Sequence, residues 1–314
     1  MNVSFNLKLT MMIAGALTVL AEYLVLRFLL GFLGIPLVFV FPFLFVFWLF
    51  QWLIGPYVVG RNTTEVMPGD PYYGWLYEMV SQLAYAAGMK KPPRVFVADE
   101  PFPNAFAYGN YITGKRIAIT LPLINIATPE ELRAVIAHEL GHIKHNDVEI
   151  GLALGLIPTA IGYVSWMLIN TGWLLLGLAA SEEEFITAIV SLTVGGFLYA
   201  VTILLQIFVL WFNRLRESYA DYHAYQLLGP SSSHLATALA KIVIYMQRVR
   251  VDPFMGIVVT ANTVKIDTNE PYKLVREWLT VKTSFLMDFF STHPHPAKRV
   301  QMLEKLLRTS GFSL

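Results

Sequence analysis

The sequence predicts an α+β, mainly helical membrane protein, with four transmembrane helices and a water-soluble domain that is divided along the chain. Three observations lead to this prediction. The 314 residues are 55% hydrophobic and only 14% charged, with a mean hydropathy of +0.54, whereas typical soluble domains are about one quarter charged. Four apolar runs each approach the ~20 residues that cross a bilayer. The remaining segments have ordinary soluble composition, and one of them carries a well-capped helix with closely spaced histidines.

The first two apolar runs, Leu9–Leu30 and Ile35–Ile54, predict an N-terminal transmembrane hairpin over residues 1–60. The first run is too long for a signal peptide and a second run follows at once, so we expect both to be retained. Trp48, Trp52 and Tyr57 near the end of the second run are typical of a membrane–water interface.

Residues 61–149 predict the first part of the soluble domain. We expect a helix at Tyr73–Ala87 and short strands at Arg94–Val97, Ala105–Tyr108 and Arg116–Thr120, since turn residues separate these runs. Thr128–Asp147 then predicts one helix. Thr128 and Glu131 have the spacing of a capping box, and Pro129 occupies the first helical position, where its missing N–H costs little.

This helix carries the sequence His138-Glu139-Leu140-Gly141-His142. Residues four apart lie on one helix face, so the two imidazoles can bind one metal ion while Glu139 projects beside it as a candidate base. Catalytic zinc normally takes a third protein ligand. His145 lies three residues from His142 and cannot easily reach the same ion from a regular helix, so we interpret it as a polar cap.

Two further apolar runs, Ile150–Leu178 and Phe185–Leu210, predict a second transmembrane hairpin over residues 150–210, with Pro158 interrupting the first of them. Residues 211–314 predict the second part of the soluble domain. They contain helical patterns at 213–229, 234–250 and 296–307, and no clear pattern at 251–286.

The helix at 213–229 offers the better candidate for the third ligand, Glu217. Asp221, four residues later on the same face, can accept a hydrogen bond from the free N–H of a ligand imidazole. The alternative is that both carboxylates belong to a solvated charged face. If Glu217 is not the ligand, Asp147 and Glu149 are the residues to reconsider.

The charge distribution and the lack of cysteine limit which partners, metal ligands and membrane orientation the sequence allows. The net charge is +1 and no basic stripe is visible, which argues against nucleic-acid binding. Cysteine is absent, so any metal must be held by His, Asp or Glu. Basic residues lie before the first run (Lys8), after the second (Arg61, Lys90, Lys91) and after the fourth (Arg214, Arg216), whereas the loop Ser181–Glu184 contains no Lys or Arg. The positive-inside rule therefore places both termini and the soluble domain in the cytoplasm.

Four motifs in order resemble the HtpX family of membrane-bound zinc proteases, which is related to the CAAX prenyl endopeptidases. They are Asn104–Gly109, the HExxH helix, the segment Arg214–Asp221, and Ser291-Thr292-His293-Pro294. The resemblance covers essentially the whole chain. It implies a zincin-like domain of the gluzincin type, with one zinc ion per chain on His138, His142 and Glu217 and with Glu139 catalytic. It also implies that Asn104, Ala105, Phe106 and Ala107 form an edge strand that binds substrate beside the cleft, and that His293 lies near the substrate.

The function expected from this resemblance is zinc-dependent endoproteolysis of membrane or misfolded proteins, by a zinc-activated water with Glu139 as general base. His293 is the preferred oxyanion donor. Because His-Pro-His-Pro stands where the family usually has His-Pro-Pro, His295 remains the alternative. We expect a multi-pass protein of the plasma membrane, or alternatively of the endoplasmic reticulum, whose partners are peptide or protein substrates and lipid. A CAAX-type processing protease and a non-catalytic zinc-binding scaffold are the competing functions. Four spans rather than seven argue against the CAAX enzyme itself, and Glu139 argues against the scaffold.

Overall fold

The computed structural model describes residues 3–248, 270–283 and 293–314. In these residues the helices are α1 Val3–Phe32, α2 Leu37–Val59, α3 Gly74–Ala86, α4 Leu121–Ile126, α5 Pro129–Lys144, α6 Asp147–Leu154, α7 Leu156–Leu178, α8 Glu182–Leu228, α9 His234–Arg248, α10 Pro271–Thr280 and α11 Pro296–Thr309. The strands are β1 Thr63–Val66, β2 Arg94–Ala98, β3 Ala105–Asn110 and β4 Gly114–Thr120. The predicted α+β, mainly helical fold is confirmed.

The chain divides into two compact units. The helical unit comprises Met12–Gln51 and Gly151–Phe212, and the mixed unit comprises Met1–Met11, Trp52–Ile150 and Asn213–Leu314. Among the described residues, four helices are long and apolar enough to cross a membrane, as the sequence predicts. Large side chains such as Phe39, Phe43 and Phe45 are exposed in the helical unit, which suits a surface covered by lipid.

The membrane helices differ from the prediction in two places. The third apolar run breaks at Gly155, between α6 and α7, and not at Pro158. Pro158 lies in the first turn of α7, where the missing N–H has no helical partner to lose. The fourth run and the helix after it form one continuous helix of 47 residues, α8. The change from apolar to polar composition within α8 therefore marks a change of surroundings and not a helix end.

The mixed unit contains a four-stranded sheet in the order β1-β2-β4-β3. β2 and β4 are parallel, while β1 and β3 run antiparallel to their neighbours. Val95, Val97, Ile117 and Ile119 face the main core, which they form together with buried residues of α3, α5 and α9. β1 was not predicted, and α10 lies in the stretch 251–286 for which no pattern was found; 251–269 and 284–286 lie outside the described residues.

Candidate metal centre

The helix α5 carries the HExxH residues, and its start is fixed as the sequence predicts. Thr128 Oγ1 accepts a hydrogen bond from Glu131 N at 3.3 Å, and Glu131 Oε2 accepts one from Thr128 N at 2.8 Å. The capping box is therefore confirmed. Ile136 and Leu140 are fully buried in the main core. Their packing fixes the rotation of α5, so that the opposite face of this helix is turned towards the cleft.

The end of α5 differs from the prediction of a single helix through Asp147. α5 ends at Lys144, His145 is its C-cap, and Asn146 has a left-handed φ of 56°. Asparagine tolerates this conformation better than most residues. The turn brings Asp147, the first residue of α6, back to His142, so that His142 Nδ1 and Asp147 Oδ2 lie 2.6 Å apart.

Three donor groups converge in the cleft. His138 Nε2 and His142 Nε2 are 3.2 Å apart, and each lies 3.5 Å from a carboxylate oxygen of Glu217 on α8. All three residues are buried. Ligand nitrogens ~2.0–2.1 Å from a tetrahedral zinc ion would be separated by about 3.3 Å. The donor set and its spacing therefore fit a zinc ion with two His ligands and one Glu ligand.

Each imidazole is oriented by a carboxylate on its other nitrogen. His138 Nδ1 lies 2.8 Å from Asp221 Oδ1, and His142 Nδ1 faces Asp147 as described above. Asp221 in turn accepts two hydrogen bonds from Arg299 of α11, at 2.6 Å from Nη2 and 2.9 Å from Nε. Arg299 is only 4% exposed. The sequence predicts the contact of Asp221, but the roles of Asp147 and Arg299 were missed.

The electrostatics of these carboxylates differ. Burial would raise the pKa of Asp221, but the Arg299 guanidinium and the hydrogen bond from His138 lower it to about 2. Burial likewise opposes ionisation of Glu217, yet His293 and the hydrogen bond from His138 hold its pKa well below the ordinary value. Burial raises the pKa of Glu139, and the neighbouring histidines offset this only in part. A carboxylate that is held ionised, Glu217, and a carboxyl whose ionisation is opposed by burial, Glu139, thus stand side by side.

The centre lies in a cleft of about 830 Å³. β3 forms one wall, and among the described strands it lies at the edge of the sheet, next to β4. Ala107 N donates a hydrogen bond to Glu139 Oε2 at 3.1 Å. Since backbone groups alternate along a strand, Ala105 and Ala107 both direct theirs away from β4. Asn104, just before β3, binds Thr120, and Phe106 packs on the sheet face away from α5.

The two histidines near the C-terminus lie in different surroundings. His293 Nδ1 is 3.3 Å from Glu217 Oε1, and the side chain lines the cleft. His295 is buried and its Nδ1 accepts a hydrogen bond from Ala297 N at 3.1 Å, which caps α11. The placement therefore favours His293 over His295 for contact with a substrate. Ser291 and Thr292 of the same motif lie outside the described residues.

His145 and Glu149 lie outside the group of three donors. The His145 ring packs against Tyr219 and His223, with ring centroids 4.5 Å and 5.5 Å away. Glu149 forms an ion pair with Lys115. The sequence interpretation of His145 as a cap matches its position at the end of α5.

Comparisons with known proteins place this chain among proteases. Residues 73–307 match the profile of Peptidase family M48. "Protease HtpX homolog 1" of Saccharolobus solfataricus is 56% identical over 312 residues, which cover 99% of this chain and 100% of that protein. "Protease HtpX homolog" of Thermoplasma acidophilum is 37% identical over 321 residues, covering 96% and 98%. Among solved structures, Ste24p of S. mikatae is 19% identical with a TM-score of 0.49, covering 93% of this chain and 67% of that one.

Proposed function

Because the chain belongs to peptidase family M48, we propose that it is a membrane-bound zinc endopeptidase that hydrolyses internal peptide bonds of membrane proteins or misfolded proteins. The observation that carries this proposal is the convergence of His138, His142 and Glu217, with the carboxylate of Glu139 beside them. A purely structural zinc site has no use for a base next to an open position, and this favours an enzyme over a scaffold.

One zinc ion per chain would be held by His138 Nε2, His142 Nε2 and the carboxylate of Glu217. The chemistry supplied by such an ion is a lowered pKa of water, towards ~7, and polarisation of the scissile carbonyl. Asp221 and Asp147 keep each imidazole turned with Nε2 towards the ion, because each accepts the proton on Nδ1.

Glu139 serves as the general base and then as the acid. It accepts a proton from the attacking water and delivers that proton to the leaving amine. Burial supports this role, since it raises the pKa of Glu139 and so brings the carboxyl closer to the pH at which it must both take and give a proton.

Substrate would bind along β3 as an additional strand. The outward backbone groups of Ala105 and the outward carbonyl of Ala107 can pair with an extended peptide, which gives affinity without demanding a particular sequence. Asn104 and Phe106 belong to the same wall of the cleft. The hydrogen bond between Ala107 N and Glu139 fixes the base against this strand, so a bound peptide bond would lie within reach of it.

His293 would donate a hydrogen bond to the oxyanion that forms on the scissile carbonyl. Its ring lines the cleft beside Glu217, and a donor aimed at developing negative charge is worth on the order of 10²–10³ in rate. His295 is occupied at the start of α11 and takes no part in this step.

The proposed substrate class follows from the position of Glu217 in α8, a helix that also contains an apolar run. Glu217 lies seven residues after Leu210 (217 − 210), the end of an apolar run, in the same helix α8. At ~1.5 Å per residue this is about 10 Å along the helix. A centre so close to an apolar span suits proteins whose loops or ends emerge at a membrane surface. The distribution of Lys and Arg supports a position on the cytoplasmic face of the membrane.

The test is zinc content together with casein cleavage by the detergent-purified protein. We expect stoichiometric zinc, cleavage that a chelator abolishes, and recovery when zinc is restored. Glu139→Gln should keep the zinc and lose activity by on the order of 10²–10⁴-fold. A folded Glu139→Gln protein without zinc would show that Glu139 is a ligand and that the assignment is wrong. A panel of prenylated peptides and misfolded membrane proteins separates this function from CAAX processing.

A further inference from the structure

The turn between β3 and β4 exposes apolar side chains at a place where a soluble protein would carry polar ones. We call residues 111–113, Tyr111-Ile112-Thr113, the hairpin tip. Tyr111 is 68% exposed and Ile112 is 70% exposed. Adjacent exposed apolar side chains at the end of a hairpin indicate a surface that is covered by something in the working protein.

The tip is held in one conformation, so its exposure does not result from a loose loop. The side chain of Asn110 is fully buried, and its Oδ1 accepts hydrogen bonds from Ile112 N at 2.9 Å and Thr113 N at 2.8 Å. Gly109 and Gly114 have φ values of 100° and 84°, which other residues rarely adopt. A Cβ on Gly109 would lie 2.2 Å from the Gly114 carbonyl oxygen.

Two contacts within the mixed unit place the tip beside segments that belong to, or lead into, candidate membrane helices. Asn110 Nδ2 donates a hydrogen bond to the carbonyl oxygen of Trp52 at 2.6 Å. Trp52 belongs to α2, seven residues (59 − 52) before the end of that apolar helix. Lys115, just after the tip, forms an ion pair with Glu149 in the first turn of α6, which leads into the apolar helix α7.

The side chains of the tip match the boundary between lipid headgroups and acyl chains. Tyrosine is enriched there because its ring is apolar and its hydroxyl is polar. The Lys115 ammonium lies 4.6 Å from the centre of the Tyr111 ring, and a lysine can bury its stem while its charge stays near the headgroups. Ile112 at the end of the turn adds the apolar surface that such a boundary accepts.

We propose that the hairpin tip inserts into the lipid interface and anchors the β3–β4 hairpin to the bilayer. We expect lipid to cover this surface, because Asn110 at the base of the tip is hydrogen-bonded to Trp52, which lies within the candidate membrane helix α2. The edge strand β3 of the cleft then ends at a point fixed at the membrane surface.

The experiment uses the absence of cysteine from the chain. Ile112→Cys provides a single labelling site in the full-length protein, and Tyr272→Cys on α10 provides a matched control, since Tyr272 is also 68% exposed. Each variant is labelled with an environment-sensitive fluorophore and reconstituted in liposomes that contain lipids brominated at known depths.

We expect strong quenching at residue 112 by bromines ~5–10 Å below the headgroups, with blue-shifted emission, and little quenching at residue 272. Equal quenching at both positions, whether high or low, overturns the proposal. A blue-shifted but unquenched label at residue 112 also overturns it, because protein and not lipid then covers the tip. If Ile112→Cys does not fold, Tyr111→Cys tests the same surface.

Discussion

Replacing Arg299 by methionine tests whether a residue remote in sequence positions the metal centre. Met is about as long as Arg and apolar, so the change removes the guanidinium and leaves much of the packing. Asp221, which is fully buried, then loses both hydrogen bonds from Arg299 and keeps only the contact with His138. We expect a less stable protein that also binds zinc more weakly.

The size of the effect follows from Asp221. Its pKa falls from an ordinary value of 3.8 to about 2 in the folded protein, which at ~1.4 kcal/mol per pKa unit is about 2 kcal/mol. Because the folded pKa is the lower one, this stabilisation is present above pH ~4 and is lost as the pH falls through about 2. Breaking a buried ion pair typically costs ~3–5 kcal/mol. Arg299→Met should therefore lower the free energy of unfolding by roughly 2–5 kcal/mol.

The chain offers a matched control on the same helix. Arg308 of α11 pairs with Glu304, but the Arg308 side chain is 73% exposed, and such pairs are worth ~0–1 kcal/mol. Both variants are assayed in detergent by thermal unfolding of the metal-free protein and by competition for zinc with a chelator. Arg299→Met should melt at a clearly lower temperature and bind zinc ~10–100-fold more weakly, whereas Arg308→Met should resemble the wild type.

Two results would refute the reasoning. Equal destabilisation by the two substitutions would mean that burial of the Arg299–Asp221 pair contributes nothing. A strongly destabilised Arg299→Met protein with unchanged zinc affinity would mean that Asp221 orients His138 without help from Arg299. Arg299→Lys should be intermediate, because lysine restores the charge but cannot donate the two parallel hydrogen bonds.

The remaining predictions concern the other residues of the centre. Glu139→Gln should keep its zinc and lose activity, as described above, and zinc analysis beside casein cleavage measures both. Glu217→Ala should lower zinc affinity by more than Asp221→Asn, for which ~10–100-fold is typical; equal zinc binding by Glu217→Ala and wild type in equilibrium dialysis would mean that the third ligand lies elsewhere. His293→Ala should reduce kcat by ~10²–10³ with zinc in place, while His295→Ala should leave kcat nearly unchanged and destabilise α11 by ~1 kcal/mol through loss of its cap. The opposite pattern would assign the oxyanion contact to His295.

Much of this centre could be predicted from local patterns in the sequence. The spacing of His138 and His142 places both imidazoles on one helix face, and the capping box fixes where that helix begins. Glu217 and Asp221 are one helical turn apart, so their relative placement was predictable once they were assigned to a helix. These relations depend on residues close in sequence, and periodicity describes such residues well.

Contacts that depend on packing between distant segments were not predictable in the same way. Arg299 lies in the last helix, where a charged residue ordinarily faces solvent, and only the packing of α11 against the centre buries it. No proline or glycine marks the end of α5 after Lys144, and Asn146 is the local sequence signal for this helix end. The dipeptide Asn146-Asp147 is typical of a turn, and it is the sequence signal for the carboxylate that orients His142.

In the proposed mechanism, the segment His293-Pro294-His295-Pro296 affects when the cost of ordering His293 arises. Each proline fixes its own φ and restricts the residue before it, and His295 ties the end of the segment to α11. The backbone that positions His293 in the cleft is therefore conformationally restricted. The entropy cost of ordering His293 is incurred during folding and not each time a substrate binds. Pro294→Gly would leave every proposed ligand, base and donor in the chain. Because glycine restores backbone freedom, His293 would then have to be ordered again in each turnover.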